Sequence, residues 1–151
     1  MGHPAVRVAD QAAAMLTAAG LPRMPARTLM ALVASPDEGY TAAELAERLG
    51  VSPAAISGAV RYLTSLRMIA RVTRPGERLA RYEMVDDGWH AMVVANAPLY
   101  GRLADAIDEI ADENAGAQHS VARAREVAGF LRFLQTRMPE LVEEWWRSRE
   151  G

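Results

Sequence analysis

Apolar residues recur at helical spacing along most of this chain and switch to strand alternation in one short stretch. The pattern predicts a first helix over Val6–Ala19, stopped by Gly20-Leu21-Pro22. A second starts near Pro25, carries Leu29, Leu32 and Val33 on one face, and ends at Ser35-Pro36. Asp37-Glu38-Gly39-Tyr40 reads as a turn. Thr41-Ala42-Ala43-Glu44 matches a capping box, in which Thr41 accepts from the residue-44 amide and Glu44 reaches back to the cap amide. It opens a third helix over 42–49, with Leu45, Ala46 and Leu49 inward and Gly50 at the C-cap position. Ser52-Pro53 combines a capping hydroxyl with a first-turn proline. A fourth helix follows over 53–67, with Ile56, Val60 and Leu63 inward and Ala59 and Leu66 beside them.

The period then becomes two. Residues 69–74 and 79–85 alternate around the turn Pro75-Gly76-Glu77, which predicts a β-hairpin. From Asp87 the helical period returns. It predicts a long helix to about Asn114, bent at Pro98, and two more over 120–135 and 139–149, divided near Met138-Pro139. The fold expected is mainly α with a small β-hairpin wing. It comprises N-terminal helices for dimerisation or support (1–40), a winged helix-turn-helix lobe (41–85) and a helical dimerisation lobe (86–151).

Charge sharpens this division. The 151 residues carry a net charge of −2, with no lysine. That charge divides as zero over 1–40, +3 over 41–85 and −5 over 86–151. Within 51–82 six arginines stand against Glu77 alone. A basic middle beside an acidic tail is the asymmetry of a nucleic-acid-binding lobe joined to something else. Arginine suits the task, because its planar fork grips a phosphate with two hydrogen bonds.

In such a lobe the second helix of the pair enters the major groove, where base edges are distinguishable, and the hairpin lies along or in the minor groove. The face opposite Ile56, Val60 and Leu63 shows Ser52, Ala54, Ala55, Ser57, Gly58, Arg61, Tyr62 and Ser65. Most are small, so the backbone can lie deep, and Arg61 is the one long donor. The hairpin adds Arg71, Arg74, Arg78 and Arg81. These twelve residues are the expected DNA contacts. The competing reading is a protein-interaction module that keeps the fold without binding DNA.

The runs Thr41–Ala46, Gly50-Val51-Ser52, Ile56-Ser57 and Arg61-Tyr62-Leu63 resemble the DNA-binding lobe of MarR-type regulators. The segment from Ile69 to Arg78, with Tyr82-Glu83, is similar to the GbsR-related branch, where a PGER wing follows the recognition helix. The resemblance implies a homodimer whose recognition helices read a pseudo-palindromic operator on double-stranded DNA. It also implies a repressor of nearby genes, such as those for transporters or efflux pumps, released by a small, often apolar, effector. A recognition helix so poor in long polar side chains favours shape and phosphate readout over many base contacts.

The rest of the chain excludes more than it adds. Hydrophobic residues make up 50% and charged residues 24%, a folding composition rather than a disordered one. Without cysteine there is no disulfide, thiol nucleophile or thiolate metal site. His3, His90 and His119 are too scattered for a metal site, and no catalytic motif or cofactor cradle is present. The longest stretch free of charge, Gly88–Gly101, is too short to span a bilayer, and Met1-Gly2-His3-Pro4 opens no signal or myristoylation pattern. A cytoplasmic protein is expected, with no membrane partner. Stripes at Leu103/Ile107/Ile110, Val127/Phe130/Leu131/Leu134 and Met138/Leu141/Val142/Trp145/Trp146 suggest a dimer interface. Asp105, Asp108, Glu109, Asp112 and Glu113 read as a solvated helix face able to pair with Arg123 and Arg125. Met15, Met24, Met30, Met92 and Tyr100 are candidate effector-cavity residues.

Overall fold

The computed structural model describes residues 4–151, with side chains from Val6 onward; His3 lies outside it. The chain folds as two compact units, Met1–Gly88 and Trp89–Gly151. The fold is mostly helical with one small antiparallel sheet, and it is a winged-helix fold.

The first unit holds α1 (Pro4–Ala18), α2 (Arg23–Val33), β1 (Tyr40–Thr41), α3 (Ala42–Leu49), α4 (Pro53–Ser65), β2 (Ile69–Val72) and β3 (Arg81–Met84). Its core is built from Leu29 and Leu32 of α2, Leu45 of α3, and Ile56 and Leu63 of α4, with Met68 and Ile69 below them. Both α1 and α4 pack on α2. Arg27 of α2 donates to the Leu49 carbonyl at 3.0 Å, tying α2 to the end of α3.

The sheet has three strands in the order β1-β3-β2, not the two of a simple hairpin. Tyr40 and Thr41, expected in or just after a turn, pair with Tyr82 and Arg81. A two-residue strand is too short to show alternation, so the sequence pattern carries no sign of it. The turn itself lies at Gly39, where φ is +67° and an added Cβ would stand 2.2 Å from the Tyr82 carbonyl oxygen. Only glycine fits there. On the other edge, β3 pairs with β2 from Ile69↔Met84 to Val72↔Arg81.

The second unit is a pair of long helices, α5 (Gly88–Glu113) and α6 (Gln118–Arg149). The division expected near Pro139 does not occur: α6 is continuous through it, as α5 is through Pro98. Proline removes one backbone hydrogen bond but does not oblige a helix to end. The shielded positions Val121, Ala124, Ala128, Leu131, Leu134, Met138 and Val142 keep helical spacing across Pro139, so packing carries the helix past it.

Small residues set the seam within this unit. Ala97, Ala104 and Ala111 of α5 and Ala128 of α6 are buried. A Cβ on Gly101 would meet the Gln135 amide at 2.5 Å. Alongside, Arg132 bridges Asp105 and Asp108, and Arg125 bridges Asp108 and Asp112. The expected acidic face is therefore a ladder of ion pairs, through Arg125 as foreseen but with Arg132 in place of Arg123. The Arg132 guanidinium, hydrogen-bonded to Asp108, holds that carboxyl below the usual aspartate range. At the far end His90 lies 4.7 Å from the Trp146 ring and 6.3 Å from that of Trp145. These tryptophans, expected at a dimer interface, are 50% and 37% exposed in the single chain for Trp145 and Trp146.

Candidate nucleic-acid interface

The helix pair α3–α4 is set by local chemistry. The capping box forms in full: the Thr41 amide donates to Glu44 at 2.7 Å, and the Glu44 amide to the Thr41 hydroxyl at 3.2 Å. The backbone hydrogen bond from Thr41, with Arg81 nearby, holds the Glu44 carboxyl below the usual glutamate range, against the opposing effect of burial. Gly50 takes the left-handed conformation (φ 63°, ψ 39°) and ends α3. Ser52 caps α4 by accepting from the Ala55 amide at 3.2 Å, with Pro53 in the first turn. Helix α4 thus starts after the three residues Gly50, Val51 and Ser52, and its buried stripe (Ile56, Ala59, Val60, Leu63) fixes which side looks outward.

Ser52, Ala54, Ser57, Gly58, Arg61, Tyr62 and Ser65 are exposed on that outward side, and Ala55 is half-buried. The Ser65 hydroxyl is occupied, donating to the Tyr62 carbonyl at 2.6 Å. Gly58 has no neighbour within 4 Å of where a Cβ would stand, so it presents bare, open backbone.

The wing arginines divide into two kinds. Arg74 pairs with Glu83 and donates to the Glu38 carbonyl at 3.1 Å. Arg81 pairs with Glu44 at 3.1 Å, reaches the Gly39 carbonyl at 3.4 Å, and lies 3.4 Å from Glu77 in an ion pair without hydrogen-bond alignment. Both therefore fasten the wing to the β1 turn and the start of α3. Among the described residues Arg61, Arg71 and Arg78 form no ion pair, and all three are exposed.

An open groove of about 460 Å³ separates α4 from the wing. Ser57, Arg61, Thr64 and Ser65 line one wall, and Arg71 and Tyr82 the other. A second, of about 300 Å³, lies beyond that wall and is lined by Arg71, Tyr82, Leu79 and residues 41–43. Sequence reasoning omitted Thr64 and Tyr82 from the expected contacts. Thr64 belongs to neither an apolar stripe nor a basic run, and Tyr82 reads only as one more strand residue. The Arg71↔Tyr82 register of β2 and β3 is what could have found Tyr82.

The MarR family profile matches residues 19–78, which span α2 to the wing. A second profile, of MmpR5-like MarR family transcriptional regulators, matches residues 87–149, which span the long helices. Both profiles are of the MarR family, and over these two stretches the chain is MarR-like. The second profile is one of transcriptional regulators, and neither names the GbsR-related branch. A crystal structure of a transcriptional regulator superposes with a TM-score of 0.81 at 21% identity, covering 96% of this chain and 99% of that one. That likeness shows the fold. MepR, a transcription regulator of the Staphylococcus aureus multidrug efflux pump MepA, gives a TM-score of 0.45 at 20% identity, over 78% of this chain and 87% of its own. No curated protein matches. Among the described residues no helix is long and apolar enough to cross a membrane.

Proposed function

We propose that this MarR-like chain is a regulator that binds double-stranded DNA through α4 and the wing, as a homodimer on a pseudo-palindromic operator, and represses nearby genes. The observation that carries this is the groove between α4 and the wing. Two arginines with no acidic partner, Arg61 and Arg71, line its opposite walls beside the hydroxyl residues Ser57, Thr64 and Ser65. Unpaired guanidiniums held together repel, and a phosphodiester chain relieves them. Arg78, near the tip of the wing, supplies a third free donor for the minor groove.

Dimerisation has its own support. Leu99, Leu103 and Ile110 of α5, and Val127, Phe130, Phe133 and Leu141 of α6, are 44–59% exposed. So many large apolar side chains on two helices mark an interaction surface. A small apolar effector, and a cytoplasmic site of action, belong to this reading as proposals.

DNase I footprinting of the upstream intergenic region tests it. The expected result is protection of two half-sites about 34 Å apart, centre to centre. A single isolated half-site contradicts the dimer, and absence of any protection at saturating protein contradicts the operator.

A further inference from the structure

Resting on the DNA-binding reading above, the geometry points to Tyr82 as a direct, uncharged contact to the DNA backbone. With Arg71 it forms a ridge against which one phosphodiester strand seats. Tyr82 lies on β3, the central strand. It is paired on one side with Tyr40 and on the other with Arg71. A residue so flanked is held by hydrogen-bonded strands on both edges, unlike the loop-borne Arg78.

Tyr82 and Arg71 together line both grooves, the one facing Ser57, Arg61 and Thr64 and the one facing residues 41–43. Among the described residues the Tyr82 hydroxyl has no hydrogen-bond partner, and the side chain is only half-buried. A tyrosine serving only to fill space needs no hydroxyl beside two free arginines. A phenol donating to phosphate supplies a short, directional bond that fixes position along the strand. The flexible arginines supply attraction without fixed register.

The test compares wild type, Tyr82→Phe and Arg71→Ala by fluorescence anisotropy. Each is titrated with the native upstream duplex and a scrambled duplex, over a series of salt concentrations. Tyr82→Phe is expected to bind both duplexes about threefold to tenfold more weakly, the effect of one lost hydrogen bond, with an unchanged salt slope. Arg71→Ala is expected to flatten that slope by about 0.9, the signature of one phosphate no longer neutralised. Wild-type affinity for Tyr82→Phe overturns the proposal, as does a loss confined to the native duplex, which means base contact. A methylphosphonate scan gives a second measurement. At the seated phosphate, neutralisation is expected to erase the Tyr82→Phe effect, and additivity at every position overturns the proposal. Wild type binding neither duplex removes the DNA reading itself, a result distinct from a silent Tyr82→Phe.

Discussion

At the scale of single residues, arginines of one basic run do two different jobs. Arg81 has carboxylates of Glu44 and Glu77 on either side and the Gly39 carbonyl within reach. Arg81→Ala is expected to cost about 1–2 kcal/mol of stability in a denaturant melt. Arg78→Ala leaves no partner stranded and is expected to leave the melt unchanged while weakening DNA binding. The sequence shows both as basic positions in one hairpin. Which of them is tied depends on Glu44 lying close in space though 37 residues away, a pairing that no local pattern displays. Arg67 makes the opposite point. It ends the α4 region at φ 58°, the one described non-glycine residue with positive φ. A Cβ is strained there, so Arg67→Gly is expected to raise stability by up to about 1 kcal/mol, read as a higher Tm.

At the scale of elements, helices were legible wherever caps announce them. Thr41 with Glu44, Gly50, and Ser52 with Pro53 mark the α3–α4 boundaries, and the structure puts each cap in place. Thr41→Ala is expected to cost about 1 kcal/mol. The pH dependence has a definite sign. Glu44 has a folded-state pKa below the ordinary 4.5, so its contribution is complete above that value and is lost as pH falls through the lowered one. Thermal melts of wild type on acidification are expected to fall more steeply than those of Glu44→Gln. A parallel fall removes Glu44 as a cause. What was not legible is the strand β1 and the unbroken α6. Both depend on neighbours distant in the chain: β3 for Tyr40–Thr41, and the continuing shielded stripe for the turns around Pro139. Gly39 belongs with β1. Gly39→Ala places a methyl against the Tyr82 carbonyl and is expected to destabilise the fold by about 2 kcal/mol or more.

At the scale of the whole molecule, charge and apolar surface have separate addresses. The basic window lies on α4 and the wing, while the acidic residues of α5 are largely consumed by Arg125 and Arg132 of α6. The large exposed apolar residues of the second unit lie along its two helices, so Phe130→Glu with Phe133→Glu is expected to convert a dimer to a monomer in sedimentation velocity. An unchanged mass relocates the interface. Free arginines around the α4–wing groove are proposed to make this chain a sequence-reading DNA-binding protein. Fluorescence anisotropy of the wild-type protein on its own upstream duplex, against a scrambled duplex of equal length at two salt concentrations, tests it most directly. Tight binding that weakens steeply with salt and favours the native sequence is the expected result. Absence of binding to either duplex at low salt would contradict it, and would leave the fold as a platform for protein contacts.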